Sequence, residues 1–127
     1  MAALPSALRA VMKPMTIYTD NTAGGSDTAS YVTKSVDYLP LLAEFEIFGS
    51  RSYANSAEKN YQKQYDYYKA GNSKIKYRHN STSSAAYWWE RSPYYDNSDY
   101  FCTVNTNGYA NYTIARYSYG LAPAFRV

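Results

Sequence analysis

The sequence predicts an α+β domain with two main helices and small antiparallel sheets. Two observations carry this. Residues 40–48 and 56–70 each open and close with helix boundary signals. Elsewhere, short alternating runs are punctuated by turn residues, with Asn107-Gly108 marking a tight hairpin. At 127 residues the chain is one domain, 1–127, with room for a single modest core.

In chain order, residues 5–12 suit a short helix: Pro5 sits at its start, Leu8, Val11 and Met12 share a side, and Pro14 ends it. Residues 15–19 form a strand, residues 20–28 a Gly-Gly loop, and residues 30–36 the returning strand. The helix at 40–48 begins at Pro40, stops at Gly49 and turns Leu41, Leu42, Phe45 and Phe48 inward. Glu44 and Glu46 are expected in solvent; at i and i+2 they do not face each other as a catalytic pair. In the second helix, 56–70, Ser56 is the expected N-cap, Tyr61, Tyr65 and Tyr68 the core stripe, and Gly71 the stop. Residues 71–85 read as a loop that exposes His79, the one histidine. A strand over 86–91 carries Trp88 and Trp89, residues 99–105 and 108–114 form hairpin arms, and Ala122 to Val127 is the final strand. The expected core adds Val104, Leu121 and Phe125, with Gly108, Gly120, Pro123 and Ala124 as scaffold.

A formal charge of +3 is only mildly basic. The surplus cations lie upstream, at Lys59, Lys63, Lys69, Lys74, Lys76 and Arg78, where a solvated helix and loop account for them better than a nucleic-acid face. No run is long enough to span a membrane, and no signal peptide is visible. Cys102 is the single cysteine, so it forms no internal disulfide and no cysteine-based zinc site; it reads as a buried, inert thiol. No metal or cofactor is expected.

Residues 94–127 contain no Lys, Glu, Gln, Met or Trp, although all five types occur upstream. Exposed hairpins ordinarily carry Lys and Glu for solubility. Here Tyr, Asn, Ser, Thr and Asp fill that role, the composition of binding loops: Tyr supplies rigid amphipathic area and the small polar residues supply adaptable hydrogen bonds.

Five motifs then occur in order: PLLAEFEIFG at 40–49, YYKAG at 67–71, YWWERSP at 87–93, NTNGYAN at 105–111 and GLAPAFRV at 120–127. From Leu4 to Val127 the chain resembles a prophage and gut-bacterial family with a C-type-lectin-like fold. Its members share a Glu-x-x-Gly end to an apolar stretch, a Trp-x-Arg-Ser-Pro strand and a Leu-x-Pro-Ala-Phe ending. Some are variable proteins of diversity-generating retroelements, akin to the major tropism determinant of a phage. Such elements randomise adenines in AAC-like codons, which cannot then yield Lys, Glu, Gln, Met or Trp. Two departures stand out. Glu90 occupies an apolar position of the family's strand, which puts that strand's burial in question. The family's first strand has no counterpart before Leu4, so the edge beside Ala122 to Val127 is expected to be covered by another chain or a rearranged N-terminus.

The resemblance implies a non-enzymatic binding protein whose variable region, about 94–119, contacts ligand through Tyr94, Tyr95, Asp96, Asn97, Ser98, Asp99, Tyr100, Asn105, Asn107, Tyr109, Asn111, Tyr112, Thr113, Ile114, Arg116, Tyr117 and Tyr119. The tyrosines are expected to gather on one exposed surface. The implied partner is a protein or glycan on a host or neighbouring cell surface, with a homo-oligomer or partner chain completing the sheet, and with neither nucleic acid nor membrane insertion. The implied location is a virion or bacterial cell surface. Two alternatives remain: an invariant virion or assembly protein, and a degenerate enzyme of the formylglycine-generating type. Lone Cys102 argues against the second. Asp96, Asn97 and Asp99 read as an Asx-rich turn in preference to a loose calcium site.

Overall fold

The computed structural model describes residues 3–21 and 26–127. It is mixed α and β, with short helices and small antiparallel sheets. The expected loop at 20–28 falls partly on residues 22–25, outside the described residues.

Helix α1, Ser6–Val11, is one short amphipathic turn and a half: Val11 is exposed and Met12, just past its end, is buried. Strands β1, Met15–Asp20, and β2, Val32–Asp37, pair antiparallel with Ile17 opposite Ser35. Ile17 and Asp20 of β1 turn inward, while β2 stays largely in solvent.

Helix α2 spans only Glu44–Phe48, not 40–48. Residues 40–43 stay extended because their carbonyls are taken by other segments. Pro40 accepts from the Ala124 N–H at 2.9 Å and Leu42 from the Arg91 N–H at 2.9 Å. The Glu46 carboxylate accepts the Ala43 N–H at 2.9 Å, one half of a capping box, so the helix starts there. Gly49 ends it at φ 71°, in the left-handed region.

The expected helix at 56–70 is broken in two. A 3-10 turn covers Ser56–Asn60 and α3 covers Asp66–Lys69. Asn55, not Ser56, is the N-cap, accepting the Ala57 N–H at 2.9 Å. Between the pieces the chain bonds across to its neighbours. The Tyr65 N–H donates to the Glu46 carbonyl at 2.9 Å, and the side-chain amides of Gln64 and Gln62 donate to Ile47 and Tyr18 carbonyls. These tertiary bonds displace the local i to i−4 ladder. Of the tyrosine stripe, Tyr68 is buried, Tyr65 half-buried and Tyr61 exposed.

Residues 71–85 are not all loop. Strands β3, Lys76–Arg78, and β4, Ser81–Ala86, form a hairpin with a register shift at Tyr77/Arg78. Its Ser/Thr-rich arm lacks the apolar alternation that marks a half-buried strand. Strands β5, Trp88–Pro93, β6, Tyr100–Val104, and β7, Ala110–Ile114, form a three-stranded sheet in that order. Glu90 does not disturb the burial of β5: it lies inside at 2% exposure, beside buried Trp88 and Ser92.

Ala122 to Val127 is extended but forms no strand. It is held by the Ala124–Pro40 bond and by the Lys13 N–H, which donates to the Arg126 carbonyl at 2.7 Å. Pro123 has no N–H to give a ladder, and Leu121 and Phe125 are exposed, so no apolar face pulls this stretch into a sheet. Leu121 and Phe125 are therefore not core residues. The core is Leu42, Ile47, Tyr68, Trp88 and Val104, with Phe48, Tyr65, Ala122 and Ala124 against it. The indole N–H of Trp88 donates to the Lys74 carbonyl at 3.0 Å.

Gly49 allows a check of this packing. A Cβ there would meet Gln64 Oε1 at 2.7 Å, on a backbone already left-handed. Gly49→Ala should lower stability by about 1–2 kcal/mol from the backbone alone. Chemical denaturation measures it, and an unchanged midpoint would contradict the cap geometry.

Candidate functional site

Four glutamates are buried in this small chain, contrary to the solvated placement expected for Glu44 and Glu46: Glu44, Glu46, Glu58 and Glu90 are all at most 5% exposed. Buried carboxylates must find charge partners or donors, or take up a proton. Each does so differently.

Glu46 pairs with Arg91 in a two-pronged contact, 2.6 and 2.7 Å. The rest of the guanidinium donates to the Leu41 carbonyl at 2.7 Å, the Tyr18 carbonyl at 3.0 Å and Thr19 Oγ1 at 3.1 Å. One side chain thus joins β5, α2, the stretch before α2, and β1.

Glu44 accepts backbone N–H groups from Ser52 at 2.7 Å, Tyr53 at 2.9 Å and Ala54 at 3.2 Å. This cradle folds the 51–55 loop around a carboxylate and aims Tyr53 outward. Ser92 links Glu58 to the helix: its Oγ accepts the Glu44 N–H at 3.1 Å and donates to Glu58 Oε2 at 2.9 Å. Glu58 Oε1 also accepts the Asp20 N–H at 3.3 Å. Burial dominates at Glu58 and raises its pKa to about 7, against the lowering effect of Ser92 and Asp20 N–H. Both Glu90 oxygens lack a hydrogen-bond partner among the described residues. Burial first, then Glu44, Glu58 and Glu46, push its pKa well up, so it rests neutral. Cys102 is fully buried, and burial raises its thiol pKa, which suits an inert packing role.

On this base sits a tyrosine patch. The Tyr53 ring meets Tyr112 edge-on at 4.9 Å and stacks on Tyr94 at 6.0 Å. Tyr94 meets Tyr112 at 4.2 Å and Tyr95 at 5.3 Å, and Tyr100 meets Tyr112 at 5.5 Å. Arg51 lies over the Tyr95 ring at 4.2 Å, braced by Asp27 at 3.3 Å. The backbone locks the patch: the Tyr95 N–H donates to the Tyr53 carbonyl at 2.9 Å and the Tyr94 N–H to the Tyr100 carbonyl at 3.1 Å.

A second aromatic group forms elsewhere. Tyr119 stacks between Tyr87 at 4.8 Å and Tyr117 at 5.8 Å, with Trp89 at 5.6 Å and Arg116 over Tyr117. The tyrosines of 94–119 therefore fall into two ring-contact groups, not one. Tyr109 belongs to neither and is 68% exposed on the β6–β7 hairpin. That turn is set by Asn105, whose side-chain oxygen accepts the N–H groups of Asn107 and Tyr109, and by Gly108 at φ 81°. Asp96, Asn97, Ser98 and Asp99 are exposed in a connecting turn, where the Asn97 side chain accepts the Asp99 N–H at 2.8 Å, an Asx turn. Asn111, Thr113 and Ile114 are half-buried along β7 and Arg116 is exposed beyond it. No residue of the expected contact set is buried. Tyr53 and Arg51 were missed in the sequence because they sit in an aperiodic loop, and only the Glu44 cradle brings them to the patch.

Comparison with known proteins gives one family. Its description is "Domain of unknown function (DUF6273)", and it matches residues 1–127. The chain belongs to this family. No curated protein and no solved structure matches the chain. Among the described residues, no helix is long and apolar enough to cross a membrane.

The buried acids predict a pH profile. Glu58 and Glu90 bind protons more tightly folded than unfolded, so the folded state carries the extra protons and stability falls as pH rises above the ordinary carboxylate range. For Glu58 the loss is complete near pH 7 and reaches about 3 kcal/mol. Glu58→Gln should make the fall between pH 5 and 7 shallower. Denaturant midpoints across that range measure it; an unaltered slope would refute the assignment.

Proposed function

We propose that this chain is a ligand-binding module on a C-type-lectin-like scaffold, a variable protein diversified within 94–119 that recognises a protein or glycan on a host or neighbouring cell surface. The observation that carries the reading is the Tyr53–Tyr94–Tyr95–Tyr100–Tyr112 patch, a run of touching, solvent-reaching rings held on a backbone fixed from below. Tyrosine and arginine are favoured at binding hot spots, and rings already ordered by one another lose little freedom on binding. The absence of Lys, Glu, Gln, Met and Trp after Pro93 fits adenine-directed codon change. Exposure fits too: a residue that must accept many replacements has to lie outside a close-packed interior.

The DNA around the coding sequence tests this directly. The expected result is a nearby reverse transcriptase and a template repeat copying codons 94–119, with adenine-directed differences. Those differences should fall at exposed positions such as Asn107, Tyr109 and Arg116, and spare Cys102, Thr103 and Val104, which are buried at 0% exposure. Absence of the repeat would overturn the reading.

A binding test follows from the patch. Tyr109→Ala, away from ring contacts, should shift stability by less than about 0.5 kcal/mol. Tyr112→Ala, which loses contacts with Tyr53, Tyr94 and Tyr100, should cost about 1 kcal/mol. On glycan and cell-surface-protein arrays, the Tyr112 variant should lose the signals of the parent chain. Signals that survive Tyr112→Ala would place recognition elsewhere.

A further inference from the structure

A cavity of about 650 Å³ opens between the β3–β4 hairpin and the start of β5, away from the Tyr53 patch and sharing no residue with it. Lys76, Arg78 and His79 line it from β3 and its turn, and no Asp or Glu lines it. Arg78 and Lys76 form no ion pair among the described residues. Lys76 instead holds its ammonium 5.5 Å from the Trp88 ring centroid. A patch of unneutralised cations around a concavity is complementary to an anion.

Aromatic rings line the cavity as well. Tyr87 and Tyr119 both line the cavity and stack at 4.8 Å, with their planes 17° apart. Backbone bonds set this pairing: the Gly120 N–H donates to the Tyr87 carbonyl at 3.0 Å and the Trp89 N–H to the Gly120 carbonyl at 3.0 Å. A Cβ at Gly120 would press that Tyr87 carbonyl at 3.3 Å, so the close approach suits glycine. Asn80, Thr106 and Ser118 also line the cavity, with side chains that make no hydrogen bond among the described residues.

We propose that this cavity binds a short acidic oligosaccharide. Its carboxylate or sulfate would pair with Arg78 and Lys76, a sugar ring would lie against the Tyr87 ring that Tyr119 backs, and its hydroxyls would meet Asn80, Thr106 and Ser118. The size lies within the range of small-ligand sites, and the free amide and hydroxyl groups match a hydroxyl-rich ligand. A nucleic-acid strand is the poorer fit, because the basic residues of the lining come from one short stretch, 76–79, too few for a track along which a backbone of phosphates would run.

Calorimetric titration of the full chain tests the proposal. The probes are a sialylated lactose, a galacturonate oligomer, a sulfated disaccharide, neutral lactose, adenosine monophosphate and a short oligothymidylate. The first three distinguish carboxylate from sulfate. At least one should bind ten times more tightly than lactose, and its affinity should fall as salt rises. Arg78→Ala, at an exposed position, should weaken that probe at least fivefold with an unchanged melting temperature. Tyr119→Leu should weaken the acidic and neutral sugars together; if that variant melts early, the Arg78 result stands by itself. Equal binding of lactose, tighter binding of either nucleotide probe, no binding at millimolar concentration, or an unaffected Arg78 variant would each overturn the proposal. None of these outcomes depends on whether a template repeat flanks the coding DNA.

Discussion

The fold depends on the Arg91–Glu46 contact at its centre. With side chains 8% and 6% exposed, both ions have lost most of their water, a cost their mutual attraction offsets only if the remaining donors and acceptors are satisfied. They are: Arg91 reaches two carbonyls and a hydroxyl beyond the carboxylate, and Glu46 also holds the Ala43 N–H. Because those partners lie on β1, on the stretch before α2 and on α2 itself, the pair acts as a polar joint between elements too short to organise themselves. A helix of α2's length has no independent stability in water. It exists here because its first turn is capped from within and its carbonyls are used by the chain on either side.

The same arrangement explains why a loop carries part of the candidate site. Residues 51–55 have no periodicity and little apolar content, yet Tyr53 is held as firmly as a strand residue. Glu44 collects three successive N–H groups, so the loop wraps around a charge that the core cannot otherwise tolerate. Stability and site are joined at this residue: the interaction that makes a buried carboxylate acceptable also positions the ring on which Tyr94 and Tyr112 rest. Glu90 takes the other route open to a buried acid: with no donor on either oxygen and three glutamates nearby, its pKa is pushed well up.

What could be read from the sequence follows the range of the forces involved. Strands β1, β2, β6 and β7 and the Asn105–Tyr109 turn were legible because alternation and turn chemistry are local. Gly49 and Gly71 also marked real stops, at φ 71° and 89°. The interior of 56–70 was misread because Tyr65, Gln64 and Gln62 bond to β1 and α2, contacts that no local pattern announces. Glu44 and Glu46 looked solvated for the same reason: a charge reads as surface unless its distant partner is known. The candidate contact set was legible as a composition, but its division into two groups was not. That division follows from register, which sets Tyr112 opposite Cys102 on the sheet, and from the Gly120 bridge that carries Tyr119 to Tyr87.

The two aromatic groups differ in their electrostatic surroundings, and that difference bears on what each can recognise. The charges near the Tyr53 patch are mostly negative: Arg51 is paired with Asp27, and the nearby 96–99 turn carries two further carboxylates. Its rings touch one another, so it presents contact area with hydroxyl tips. Tyr87 and Tyr119 share their cavity with Lys76 and Arg78 and with no carboxylate, so the field there has one sign. Such a site selects by charge before it selects by shape. The cations of that cavity lie on β3, outside the 94–119 interval, while Thr106, Ser118 and Tyr119 of its lining lie within it.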